Sequence, residues 1–359
     1  MTKEIVLVTG GTGHVGSHIL LQLLEAGQYQ VRTTVRSLSK KQKLFTILKD
    51  NSSQITDELI QERLSVYEAD LTSDKGWKDA IRGCDFVLHV ASPLIVGQPK
   101  NPDDVIIPAK EGALRVVKFA HQLNVKKLIL TSSFLSVGFG HPDSEKFVDE
   151  RDWSPIERIK DTYVKSKVLA ERAVWEYVEG PTNQKSTQPL VVTALLPGAI
   201  LGPALKGMPY TATLDFVKMI LHGELKTGAP RIYLRVVDVR DVAQLHIEAL
   251  KNPASDGERY ILTSNEDENT ILDICSTLKA ANLKGVDSSV FPKRFVPSWL
   301  LCFLSTFVTE LKGVVPHLDQ HRITSSAKAI RDFKWTPIPT ETTYIDTARS
   351  MVDIEKGTK

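Results

Sequence analysis

At 359 residues, 42% of them hydrophobic, the chain can bury a full core and has room for one large or two modest domains. Its 45 Lys and Arg nearly cancel 43 Asp and Glu, leaving a formal charge of +2 and no global field to attract nucleic acid or an anionic membrane. Cys84, Cys275 and Cys302 lie far apart with no C-x-x-C pair, which excludes a disulfide framework and a zinc site and fits a reduced, cytoplasmic setting.

Met1-Thr-Lys-Glu runs straight into Ile5–Val8, a buried-strand pattern too short for the core of an export signal. Further β-branched runs at Val31–Val35, Leu64–Tyr67, Phe86–Val90 and Leu128–Leu130 alternate with amphipathic stretches, of which Val15–Glu25, Val105–Gln122 and Asp161–Tyr177 read as helices. That order predicts an α/β fold: a Rossmann-type, doubly wound parallel sheet with helices on both faces. Glu179–Pro189 reads as a surface loop before another strand at Leu190–Leu195. Beyond Pro197 the texture changes to closely spaced glycine and proline with helical stretches at Thr213–Leu221 and Ile271–Ala280, predicting a smaller, mostly helical substrate lobe. Val236–Leu250 reads as a strand entering a helix that returns to the first domain. The expected division is 1–196 with 232–252 for the cofactor domain, and 197–231 with 253–359 for the lobe. Val296–Val308 is apolar but shorter than the ~20 residues a span requires, so it is expected as a core helix or a cap over a cleft.

Directly after the first strand comes Thr9-Gly10-Gly11-Thr12-Gly13-His14-Val15-Gly16, then a helix. Gly10 permits a tight turn, Gly13 lets backbone approach a pyrophosphate, and Gly16 lets helix and sheet pack closely. Through the second strand and past its end, residues 28–43 carry no acid to receive ribose hydroxyls; they carry Arg32, Arg36, Lys40, Lys41 and Lys43, a set suited to a 2′-phosphate. Asp70-Leu71 follows the third strand, where the aspartate can accept from an adenine amino group or cap the segment after it. Val90-Ala91-Ser92 ends the fourth strand with small residues suited to close approach of a cofactor.

Tyr163 and Lys167 stand at i and i+4 on one face of a helix. A tyrosine is a poor acid near neutrality, and a neighbouring ammonium favours its phenolate, so the pair is suited to proton transfer. Thr131-Ser132-Ser133 ends the fifth strand; Ser133 is the choice for polarising a carbonyl, with Ser132 the competitor because neighbours on a strand face opposite ways. No metal site is expected at His14, His89 or His141.

These segments, LVTGGTGHVGSHI, TTVRS, EADL, VLHVASP, LTSS, DTYVKSKVLAE, LLPGAILGP and VVDVRDVAQLHIEAL, stand in the order and spacing of a known group. The chain resembles the extended short-chain dehydrogenase/reductases of the dihydroflavonol-reductase, cinnamoyl-CoA-reductase and yeast aldehyde-reductase type, nearly end to end until about residue 265. The resemblance implies a monomeric or dimeric NADP(H) enzyme acting on a small carbonyl compound. It makes Arg36 and Lys43 the 2′-phosphate ligands, Ser133, Tyr163 and Lys167 the catalytic triad, and Pro197, Gly198 and the loop through Ile200 to Gly202-Pro203 the cover of the nicotinamide. Plant flavonoid reductases carry an asparagine shortly after the serine motif where this chain reads Phe134-Leu-Ser-Val137, which favours a simpler aldehyde or ketone. Rival readings are a 3-beta-hydroxysteroid-type dehydrogenase, a nucleotide-sugar epimerase or dehydratase, and a non-catalytic NADP sensor. Phe134, Ile200, Tyr210, Phe216 and Trp299 are candidate pocket residues.

Overall fold

The computed structural model describes residues 3–93, 101–141, 146–264 and 268–357, with Thr309 and Glu310 in backbone only. Strand β1 (Ile5–Thr9) leads through a turn into α1 (His14–Ala26) and β2 (Gln30–Val35). There follow α2 (Lys41–Asn51), α3 (Asp57–Arg63), β3 (Leu64–Glu68), α4 (Trp77–Ile81), β4 (Phe86–His89), α5 (Asp103–Gln122) and β5 (Lys127–Thr131). The chain continues through β6 (Phe147–Val148), α6 (Thr162–Glu179), α7 (Pro181–Gln184), β7 (Val191–Pro197), β8 (Ala199–Leu201) and α8 (Ala212–Leu221). Last come β9 (Val236–Asp238), α9 (Val239–Ala249), β10 (Arg259–Leu262), α10 (Ile271–Ala281), α11 (Ser298–Leu304), β11 (Ile323–Thr324), α12 (Ala327–Phe333) and α13 (Thr340–Glu355).

Seven strands form one sheet in the order β10-β7-β5-β4-β1-β2-β3, every neighbouring pair parallel. A parallel sheet covered on both faces needs apolar residues at successive positions, and these strands supply them. Because side chains alternate, Val6, Val8, Leu88 and Ile129 join the core under α1 and α9, whereas Leu7, Val87, Leu128 and Leu130 join the core under α5 and α6. A third core gathers α8, α10 and α13 around Leu214, Ile274, Tyr344 and Met351. Buried Asp238 caps α9, pairs with Arg240 at 2.8 Å and accepts from Thr343 Oγ1 at 2.9 Å, so one carboxylate joins β9, α9 and α13.

The structure departs from the sequence reading in three places. β10 lies within 253–359, the stretch expected in the lobe, yet it is the edge strand of the main sheet, with Tyr260, Ile261 and Leu262 fully buried. The expected loop 179–189 contains the short helix α7, because buried Asn183 donates to the carbonyls of Val178 and Leu190 and accepts from Leu190 N–H. In the apolar run 296–308 only Ser298–Leu304 is helical, and it buries Leu301 while Trp299, Phe303 and Phe307 stand in solvent, so it is not a core helix. No described helix is long and apolar enough to cross a membrane.

Helix α6 is tied to the far edge of the sheet by charge. Glu171, buried on α6, accepts from Arg259 Nε of β10 at 2.7 Å, and Arg259 lies 3.8 Å from the centre of the Trp153 ring. Removing one partner of such a pair strands the other charge in a low-dielectric interior. Arg259→Met is therefore expected to cost about 3–5 kcal/mol in urea unfolding at neutral pH; a loss below about 1 kcal/mol would show that the pair does not hold α6 to β10.

Candidate active site

The carboxyl ends of all seven parallel strands share one edge, the side on which ligands bind in such sheets. At the end of β1, Gly10 takes φ +72° and turns against Ala91, where an added Cβ would sit 3.0 Å from the Ala91 backbone. A Cβ on Gly16 would lie 2.3 Å from the Gly10 carbonyl oxygen, and one on Gly11 would lie 2.2 Å from Thr33 Oγ1. Gly13 caps α1 without any side-chain bond to the helix, and the first turn contains no acid. The free N–H groups and the helix dipole therefore face outward beside half-buried Thr12 and Val15, the arrangement that receives a phosphate.

Thr9, not singled out from sequence, fastens this turn to the end of β4. Its Oγ1 accepts from the N–H groups of Val90 and Ala91, both at 3.0 Å, and contacts His89 Nδ1 at 2.9 Å. Burial, reinforced by the Lys167 charge, pushes His89 down to about 3, so its ring is neutral and can accept the Thr9 hydroxyl proton. His14 is also buried and pushed down to about 3 by desolvation, then by His18, whose ring it meets edge-on; its Nε2 has no hydrogen-bond partner among the described residues.

The basic run after β2 divides. Arg32 donates to the carbonyls of Ala80 at 3.0 Å and Arg82 at 2.8 Å and lies over the Tyr67 ring, so it is a strut between β2 and α4 and leaves the phosphate set. Arg36 is exposed beside Asp70, and Lys43 is exposed in the first turn of α2. Asp70 accepts from both the N–H and the hydroxyl of Thr72, which together with the charges of Arg36 and Arg115 hold its carboxyl below the usual range against a desolvation penalty. It caps a turn, not a helix. Leu71 packs against Gly112 of α5, where a Cβ would come within 2.9 Å of it.

Asp161 caps α6 by accepting from Val164 N–H at 3.0 Å, and it leaves Tyr163 half exposed above the strand ends. Burial alone would raise the Asp161 carboxyl, but His317 and the helix N–H groups outweigh it and lower the group overall. Lys167 Nζ reaches Ser92 Oγ at 3.0 Å and lies 5.5 Å from the centre of the Tyr163 ring, so the helix pair and the end of β4 meet. Ser132 is buried and donates to Glu171 at 2.5 Å, whereas half-buried Ser133 accepts from Leu135 N–H at 3.2 Å and donates to no described acceptor. The hydroxyl with an uncommitted proton is Ser133. At the end of β7, a Cβ on Gly198 would lie 2.0 Å from the Arg235 carbonyl, which fixes a glycine between buried Pro197 and half-buried Ile200.

Of the candidate pocket residues, Phe134 packs in the core below Gly138, Tyr210 and Phe216 pack against the third core, and Trp299 is 71% exposed. Among the described residues no group of three His, Cys, Asp or Glu could hold a metal.

Residues 7–267 match the 3-beta hydroxysteroid dehydrogenase/isomerase family. Cinnamoyl-CoA reductase 1 of Arabidopsis thaliana is 36% identical over 266 residues, spanning 73% of this chain and 71% of that protein. The bifunctional dihydroflavonol 4-reductase/flavanone 4-reductase of Pyrus communis is 28% identical, spanning 99% of each. The fold is that of yeast methylglyoxal/isovaleraldehyde reductase, solved with NADPH: TM-score 0.76 at 22% identity, covering 98% of this chain and 99% of that one.

The two adjacent serines separate in a stability measurement. Ser132→Ala leaves the buried Glu171 short of a donor and is expected to cost about 1–3 kcal/mol. Ser133→Ala should stay within about 0.5 kcal/mol of the unmodified protein by the same denaturant titration. Equal losses would mean that Ser133 too is held by the core.

Proposed function

The chain belongs to the 3-beta hydroxysteroid dehydrogenase/isomerase family, and from that premise we propose that it is an NADPH-dependent reductase of aldehyde or ketone carbonyls with Tyr163 as general acid. The observation that carries this reading is the meeting of Lys167 with Ser92 at 3.0 Å and with the Tyr163 ring at 5.5 Å, at the strand-end edge that also bears Ser133. The relatives named above are oxidoreductases, and two of them are named as reductases of carbonyl compounds.

The glycine turn fits a dinucleotide, since Gly10, Gly13 and Gly16 leave the space and the N–H groups that a pyrophosphate needs. Thr12, His14 and Val15 would flank it, with Asp70 and Leu71 toward the adenine, Arg36 and Lys43 at a 2′-phosphate, and Val90, Ala91, Ser92, Pro197, Gly198 and Ile200 toward the nicotinamide. Bound there, the nicotinamide supplies the hydride. Ser133 donates to the carbonyl oxygen and polarises it, and the Tyr163 hydroxyl delivers its proton to that oxygen as negative charge develops. Lys167 holds the ribose hydroxyls and favours the phenolate that remains. The carbonyl compound is received between this edge and the segments 197–231 and 253–359.

Tyr163→Phe deletes the proton donor with little change in shape, so turnover should fall by at least about a hundredfold while NADPH affinity holds. Unchanged kcat across several aldehydes and ketones would sink the mechanism. Including 3β-hydroxysteroids with NADP+ and NAD+ in the same screen tests the second reading that the family match favours; turnover of a steroid above every simple carbonyl would replace the first.

Cofactor choice follows from the missing acid at 28–43 and from exposed Arg36 and Lys43. Two charge-assisted contacts to a phosphate, reduced by exposure and salt, should favour NADPH over NADH about a hundredfold. Arg36→Asp should erase that preference in a titration at fixed ionic strength; a variant still selective for NADPH would remove Arg36 from the site.

A further inference from the structure

A cavity of about 200 Å³ opens beside the first turn of α6, and none of the groups assigned above to cofactor or carbonyl lines it. Its walls come from the described residues within 138–141, 146–164 and 316–322. Asp161 and Val164 border it while Tyr163, between them, does not. Arg158, Lys160 and Arg322 face it together with His141, His317 and His321.

The charge of this wall is one-sided. Lys146 is spent on Asp152 at 2.5 Å. Asp161 is the one carboxylate among the described lining residues, and it is engaged by Val164 N–H and by His317 Nε2 at 3.5 Å. Arg158 and Lys160 are exposed and form no ion pair with a described residue. Arg322 is 93% buried, stacked 3.8 Å above the Phe139 ring, and has no carboxylate within salt-bridge distance among the described residues. Its Nη1 is spent on the Gln320 carbonyl at 3.1 Å. Glu268, whose charge acts on Arg322, is taken by His321 at 2.7 Å and by the Arg322 backbone N–H. Burial pushes Arg322 down to about 10, well above neutral pH, so it stays charged. A guanidinium held in such a place without a counter-charge is costly unless an anion completes it.

We propose that this cavity is a binding site for a small oxyanion, the phosphate or carboxylate group of a metabolite, held by Arg158, Lys160 and Arg322. Guanidinium and ammonium donors converging from separate segments suit such a group, since each contact is charge-assisted and the guanidinium fork matches two oxygens. The position against Asp161 puts the anion next to the cap of the helix that carries Tyr163 and Lys167. The site does not depend on the proposed reductase activity.

Calorimetric titration of inorganic phosphate into the full chain, at constant ionic strength set with chloride, tests it against the double variant Arg158→Glu/Lys160→Glu. Both positions are exposed, so circular dichroism should show the fold unchanged. Saturable binding should weaken at least about tenfold in the variant, the lower range for losing charged hydrogen bonds. Because the readout is a difference between two proteins, phosphate taken up at the glycine turn cancels. Equal affinity in both, or no saturable phosphate binding in the unmodified chain beyond that at the glycine turn, overturns the site. The source of the anion is then read from turnover of a neutral aldehyde and a 2-oxo acid. A KM increase confined to the 2-oxo acid assigns the site to the charged end of a substrate. Loss of phosphate binding with both KM values unchanged assigns it to a separate anion. A chain that reduces neither compound fails the proposed activity and leaves the binding comparison standing.

Discussion

Every strand of the main sheet runs the same way, so every strand also stops at the same edge. A parallel sheet cannot be made from hairpins; each return needs a crossover, and here helices supply it on both faces. The groups proposed for the site, at 10–16, 36, 70, 90–92, 133 and 197–200, are spread over nearly two hundred residues, yet they follow strand ends and so lie along one edge for that one topological reason. The glycines serve the same edge. A single methyl at Gly16 or Gly198 would meet a carbonyl oxygen at 2.3 or 2.0 Å, so the backbone approaches there are closer than any other residue allows.

Helix α6 turns that edge into a site because its two sides do different things. Its outward side presents Tyr163 and Lys167 at helical spacing, and its inward side carries Glu171, which takes up Arg259, Ser132 and Trp175 Nε1. The buried pair costs desolvation and contributes position: it sets the rotation of α6 about its own axis, and with it the direction of the exposed pair. Commitment of Ser132 to Glu171 is also what leaves its neighbour as the only serine of the two with a proton to offer.

Charge is handled oppositely at two places. The cations after β2 stand in solvent, where each can swing toward a ligand at little cost, and the one that is tied down, Arg32, is tied to carbonyls. Around Arg322 the guanidinium is enclosed first, by Phe139 and two backbone carbonyls, and the nearby acids are already occupied. The aromatic side chains of α11, by contrast, make no ring or cation contact among the described residues beyond that of Phe303 with Phe307 at 5.5 Å.

From sequence alone, the alternation of apolar runs with helical patterns determined the sheet class, and the glycine turn, the acid-free basic run and the Tyr163/Lys167 spacing supplied the sites proposed for a dinucleotide and a proton donor. Those features are local: each depends on residues within one or two turns of one another, so a linear string carries them. What required the tertiary structure were the choices set by distant partners. Alternation says that Ser132 and Ser133 face apart, but only Glu171, 39 residues away, decides which faces inward. A cation reads the same whether it binds a phosphate or braces a loop, and only the carbonyls of Ala80 and Arg82 removed Arg32 from the first group. An apolar run reads the same in a core helix and in a cap over a cleft until its neighbours are known, and the exposure of Trp299, Phe303 and Phe307 removes the core helix for 296–308. The cavity lined by Arg158, Lys160 and Arg322 has no motif at all, because its described charges come from two segments that only folding brings together.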